Sequence, residues 1–182
     1  MAKRASDKDN ITFRLEKATL EKMSFEAEQN GVSMNTIANN IFLDYFDWNG
    51  YAPKAGMIPM HKTVLSMIFD KLSEKEVIEV AEFFAKVKVK DMLLVLKNSY
   101  DLKAFLETFE AWLKASSLLH TKNVNHDSQM YTITHEMGNK WSVYMLHMLK
   151  TVFQNIGLEN IVFEKSDDII TFKIPLIILQ HR

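Results

Sequence analysis

Residues 10–15 read Asn-Ile-Thr-Phe-Arg-Leu, with Ile11, Phe13 and Leu15 apolar and Asn10, Thr12 and Arg14 polar between them. Strict alternation is the signature of a strand with one buried face. A helix is expected next, from about Lys17 to Asn30, with Leu20, Met23 and Ala27 along one side. Gly31 stands where a left-handed cap ends such a helix, and Ser33 where a side-chain cap opens another. The second helix carries Met34, Ile37, Ala38, Ile41, Phe42, Tyr45 and Trp48 at helical spacing, an unbroken apolar stripe. One strand and two helices cannot close a core alone: the strand leaves its backbone groups unpaired, and about 40 residues bury too little apolar surface. A second copy of the chain is the physical remedy. Two strands would pair antiparallel across a two-fold axis and set Ile11, Phe13, Leu15, Leu20, Met23, Ile37 and Ile41 into a shared dimer core. The alternative is an edge strand that pairs with a sheet further along the chain, which would leave Thr12 and Arg14 as ordinary exposed residues.

In the dimer, the polar face of the ribbon presents Asn10, Thr12 and Arg14 from each copy. A two-stranded ribbon fits the major groove of B-form DNA, where arginine pairs with guanine, asparagine with adenine, and threonine with several base edges. The first turn of the second helix, around Ser33, Met34 and Asn35, has backbone N–H groups suited to a phosphate. The region from about Asn10 to Trp48 resembles the ribbon-helix-helix family of Arc-, MetJ- and CopG-like DNA-binding proteins. The resemblance rests on the alternating strand, the length of the first helix, the Gly31-Val32-Ser33 link and the amphipathic second helix. It implies base contacts by Asn10, Thr12 and Arg14, and phosphate contacts by Ser33, Met34, Asn35 and Lys8. It implies a homodimer or higher homo-oligomer, double-stranded DNA as partner, and the activity of a sequence-specific transcriptional regulator.

Charge neither demands nor forbids this reading. The net charge is -1, so any attraction to phosphates is local. Residues 3–22 supply Lys3, Arg4, Lys8, Arg14, Lys17 and Lys22 against Asp7, Asp9, Glu16 and Glu21. Phe25 lies off the buried face of the first helix, and Asp44 and Asp47 close the second on its acidic end, away from any DNA. The chain has no cysteine, so disulfides and thiolate metal sites are excluded. No stretch approaches the ~20 apolar residues of a membrane span, and no apolar core follows the basic N-terminus as in a secretory signal. A cytoplasmic protein with no membrane partner is expected.

The 182 residues are read as a flexible arm (1–9), the ribbon-helix-helix region (10–48), a linker (49–59) and a C-terminal sensing or oligomerisation domain (60–182). The linker carries Gly50, Pro53, Gly56 and Pro59. Beyond it, helices are expected over Met60–Leu72, from the capping box Ser73-Glu74-Lys75-Glu76, over Val89–Lys97 and over Asp101–Ser117. A β-α-β-β unit follows: strands at Gln129–His135, Ile161–Lys165 and Ile169–Ile174, and a helix from Asn139 to Ile156. The expected fold class is α+β, mainly helical. The apolar tail from Ile174 to Leu179 either completes the sheet or packs on a partner chain.

Candidate chemistry in this larger region is sparse. His120, His126, His135 and His147 cluster in sequence, but without the spacing of a metal site; His135 and His147 are the weak candidates, and no metal or cofactor is expected. The turn at residues 134–141 has one glycine, short of a phosphate loop. Phe83, Phe84, Phe105, Phe109, Trp112, Trp141, Tyr144, Met145 and Met148 either line an apolar pocket for a small-molecule effector or fill an ordinary core. No catalytic arrangement is present, and an enzyme is not expected. Two other roles stay open: an antitoxin-like interaction module that only dimerises through its N-terminus, and a ligand or metal sensor acting mainly through the C-terminal domain.

Overall fold

The computed structural model describes Asp9 and residues 11–180 of the chain, which divide into two compact units, one ending at Leu43 and the other starting at Asp44. In the first unit, residues 11–16 carry no regular secondary structure and are exposed. Helix α1 (Lys17–Asn30) ends at Gly31, whose φ of 62° is left-handed and whose N–H returns to the last turn. Ser33 opens α2 (Met34–Asp44): its hydroxyl accepts from the Thr36 N–H at 3.1 Å. Both caps expected from the residues are therefore in place. The strand expected at residues 10–15 is not seen: among the described residues, 11–16 carry no strand and pair with none.

The second unit begins with a π-helical turn, Tyr45–Asn49, and a 3-10 turn, Ala52–Ala55, so the segment expected as a linker carries local structure and buries Ala52. Helices α3 (Lys62–Asp70) and α4 (Glu74–Phe83) follow. The capping box at Ser73 is complete, with Ser73 Oγ accepting from Glu76 N at 3.3 Å and Glu76 Oε2 accepting from Ser73 N at 2.7 Å. A second π-helical turn, Phe84–Lys88, joins α4 to α5 (Val89–Lys97), and α6 spans Leu102–Ala115. The sheet contains four antiparallel strands: β1 (Leu119–Val124), β2 (Ser128–Thr134), β3 (Val162–Lys165) and β4 (Ile169–Pro175), in the order β1-β2-β4-β3. Helix α7 (Gly138–Asn155) lies between β2 and β3 in the chain, and α8 (Leu176–Gln180) follows β4.

The expected β-α-β-β unit is thus corrected to β-β-α-β-β. Strand β1 is exposed along its whole length. Its residues carry no one-sided apolar pattern, and its order comes from pairing with β2, Leu119 opposite Thr134 through Val124 opposite Gln129. Asn125 makes the turn, its Oδ1 accepting from the N–H of Asp127 at 3.0 Å and of Ser128 at 2.8 Å.

The sheet packs one face against helices. Tyr131 and Ile133 of β2 and Ile170, Phe172 and Ile174 of β4 are fully buried. Phe172 meets Phe109 of α6 and Phe153 of α7, at ring-centre distances of 6.1 Å and 5.5 Å. The opposite face carries Thr132 and Thr171, paired across β2 and β4. Period-2 burial in the strands and the apolar stripes of α6 and α7 therefore build one core. The apolar tail divides: Ile174 and Pro175 end β4, with Ile174 buried and the Leu176 N–H donating to the Asp127 carbonyl at 2.8 Å, while Leu176–Gln180 turn into α8 and do not extend the sheet. Among the described residues, no helix is long and apolar enough to cross a membrane.

Candidate functional site

In the first unit, Thr12 and Arg14 lie ahead of α1, outside any helix or strand, and are exposed; Asn10 and Lys8 lie outside the described residues. The apolar residues between them are exposed as well. Ile11 is 75% exposed, Phe13 51% and Leu15 43%, on a stretch that makes no strand pairing among the described residues. Phe13 contacts Phe42 of α2, with ring centres 5.4 Å apart. Of the other residues expected in a shared core, Ile37 is buried, Met23 is half-buried, and Leu20 and Ile41 are exposed. The first unit therefore presents exposed apolar side chains on residues 11–15 and on both helices. Phe25 is exposed, as its position off the buried face implies.

Ser33, Met34 and Asn35 are exposed at the start of α2. The Ser33 hydroxyl is engaged with its own helix, at 3.1 Å from Thr36 N and 2.9 Å from Thr36 Oγ1. Backbone N–H groups of a first helical turn have no intrahelical acceptor, so Met34 and Asn35 retain the geometry for an anion. Lys17 pairs with Glu21 at 3.8 Å on the surface of α1, which weakens the local positive charge available beside the segment.

In the second unit, the two histidines named as weak metal candidates part company. His135, just after β2, is fully buried. Its Nδ1 accepts from the Met137 N–H at 3.1 Å, so the proton is on Nε2, which donates to Ser142 Oγ at 2.8 Å; Ser142 in turn donates to the Asp167 carbonyl at 3.1 Å. Both ring nitrogens are used within the protein. Burial holds this imidazole below its ordinary pKa, and nearby Lys62 adds to the effect, against the opposing pull of Asp168. His147 is half-buried on α7 and is also lowered, by burial first and then by Lys150. Among the described residues, no group of three or more histidine or carboxylate side chains is placed to hold a metal ion.

The turn between β2 and α7 has its own anion. Asp168 Oδ1 accepts from the Gly138 N–H at 2.8 Å, where Gly138 has a φ of 78°. A carboxylate from the β3–β4 turn thus takes the place at this helix start that a bound anion would occupy.

The aromatic residues of the second unit include both pocket and core. Phe84, Phe105, Phe109, Trp112, Trp141, Tyr144 and Met148 line a cavity of about 190 Å³. Phe83 is exposed and Met145 is fully buried away from it. Trp48, Met57, Val89, Met92 and Thr108 complete the lining, and the sequence reading missed them in this role. Thr108 carried a readable signal: a polar residue on the same face of α6 as Ala104 and Phe105, where a solvated threonine does not belong.

Comparison with known proteins returns no family model, no curated protein and no solved structure that matches this chain.

Proposed function

We propose that the protein is a dimeric, sequence-specific DNA-binding transcriptional regulator of the ribbon-helix-helix kind. The observation that carries the reading is the exposure of Ile11, Phe13 and Leu15, in alternate positions of residues 11–16, ahead of two helices joined through Gly31 and Ser33. Three large apolar side chains in alternate positions on an unpaired backbone are a surface that a second copy covers. Pairing two such segments antiparallel buries the apolar face and turns Thr12 and Arg14 outward together. That outward face has the width and the side chains for base edges in a major groove. The exposed start of α2 supplies phosphate contacts that position the ribbon.

The test is anisotropy binding to DNA from the protein's own promoter region, with wild type, Arg14→Ala and Thr12→Ala. Loss of a base contact costs about 1–3 kcal/mol and relaxes discrimination at one position. Unchanged specific binding in both variants rules the ribbon out as the reader. Lys8→Ala, a phosphate contact, weakens all sequences alike and lowers the salt dependence.

A further inference from the structure

Helix α4, the π-helical turn after it and α5 run on without a break from Glu74 to Lys97. Every fourth residue from Val77 through Ala81, Ala85 and Val89 to Leu93 is fully buried. One side of the helix therefore faces the core along its whole length, and the opposite side stays outward through the π-helical turn. That outward side is apolar. Phe83 is 61% exposed, and Val80, Val87 and Leu94 lie between 42% and 46%. Their spacing of three, four and seven residues is that of a seam along which two helices pack.

The charges of the same helix say what covers the seam. Ahead of Phe83 stand Glu74, Glu76, Glu79 and Glu82 against Lys75 alone; after it stand Lys86, Lys88, Lys90 and Lys97 against Asp91 alone. The first half is acidic and the second basic, and even the exceptions match. Lys75 and Asp91 both lie eight residues from Phe83, and Glu76 and Lys90 both lie seven. Turned end for end, the pattern is its own complement. We propose that this helix face is a docking surface for the same face of a second copy of the chain, laid antiparallel about a two-fold axis at Phe83.

In that arrangement Phe83 meets its counterpart at the axis, with Val80 and Val87 on either side. Lys75 comes opposite Asp91 of the other copy, and Glu76 opposite Lys90. A parallel pairing sets like charges together along the whole contact, so charge selects the antiparallel one. The ion pairs within the helix, Lys75 with Glu79 at 3.7 Å and Lys86 with Glu82 at 2.7 Å, are exposed, and such pairs are weak enough to exchange partners. One helix from each copy buries less than a standard interface, so the dissociation constant is expected at roughly 0.1–1 mM. The contact is separate from the pairing proposed for the first unit and does not rest on it. A chain carrying both self-complementary surfaces joins dimers into larger assemblies.

The test uses full-length Phe13→Ser protein, which lacks the first-unit contact, followed by sedimentation equilibrium from about 10 μM to about 1 mM. Monomer is expected at the low end and dimer at the high end. Phe83→Ser, at an exposed position outside the core, should weaken the association at least roughly tenfold. Glu79→Lys with Glu82→Lys should do the same, and so should Lys86→Glu with Lys88→Glu, because each sets like charges opposite one another. Mixed in equal amounts, these two charge-reversed proteins should pair at least roughly tenfold more tightly than either does with itself, and less so at high salt. The proposal is overturned if Phe13→Ser protein stays monomeric at about 1 mM, if Phe83→Ser leaves the association unchanged, or if the mixture pairs no better than its components. A Phe13→Ser protein that is still dimeric at tens of micromolar, and is dissociated by Phe83→Ser, supports the helix contact and refutes the first-unit pairing instead.

Discussion

His135 Nε2 lies 2.8 Å from Ser142 Oγ, and the pair ties the residue after β2 to the second turn of α7 inside the core of the second unit. The neutral imidazole is the only form that fits, because Nδ1 must accept from Met137 N–H. Its folded pKa is therefore depressed, with burial as the leading cause. For a base whose folded pKa lies below its unfolded one, the unfolded state binds more protons between the two values. Stability is then complete above about pH 6.5, the ordinary histidine value, and declines as pH falls below it. The slope contributed by one such group is at most about 1.4 kcal/mol per pH unit. Urea denaturation at pH 7.5 and 5.5 should show this loss, and His135→Gln should flatten it. Part of the slope should remain, because His147 is lowered in the same direction.

A second buried link joins the sheet to α6. The Tyr131 hydroxyl donates to Glu110 Oε1 at 2.5 Å and accepts from Gln129 Nε2 at 2.6 Å, while Lys122 donates to the same Glu110 oxygen at 2.7 Å. Tyr131→Phe removes a bond to a charged acceptor and strands the buried Gln129 amide. The expected loss is about 1.5–3 kcal/mol, read as a lower urea midpoint with unchanged m-value.

The start of α4 offers a cleaner local test. Ser73→Ala removes the hydroxyl that accepts from Glu76 N and should cost about 1 kcal/mol of the second unit's stability. Gly at the same position should cost only a few tenths of that, so comparing the two variants by thermal unfolding isolates the cap from the change of residue.

The proposed dimer predicts a concentration-dependent first unit. Phe13→Ser or Ile11→Ser should shift the protein to a monomer in sedimentation velocity, and should remove any dependence of Tm on protein concentration. A wild-type protein that is monomeric at tens of micromolar would refute the shared core.

Elements whose cause is local were readable from residues alone. Gly31, Ser33 and the Ser73 capping box each stand where helix termini need a left-handed residue or a side-chain acceptor, and all three do so in the structure. The stripes of α6 and α7, and the alternation in β2 and β4, were equally legible because one face of each is buried. Strand β1 was not: both its faces meet solvent, so burial writes no period into it. The π-helical turns at 45–49 and 84–88 were also hidden, since an extra residue in a helical turn leaves apolar composition unchanged.

The sequence by itself determined the helix ends of the first unit, because Gly31 and Ser33 act through their own backbone and side chain. It also determined the helical and strand periods of the larger unit. Only the tertiary structure decided that Thr108 and Trp141, 33 positions apart in the chain, line one cavity, each with a buried polar atom that has no partner among the described residues. It likewise decided that His135 spends both nitrogens inside the core. Periodicity records which face of an element is buried; which polar atoms are satisfied depends on neighbours brought in by other elements, and no local pattern encodes that.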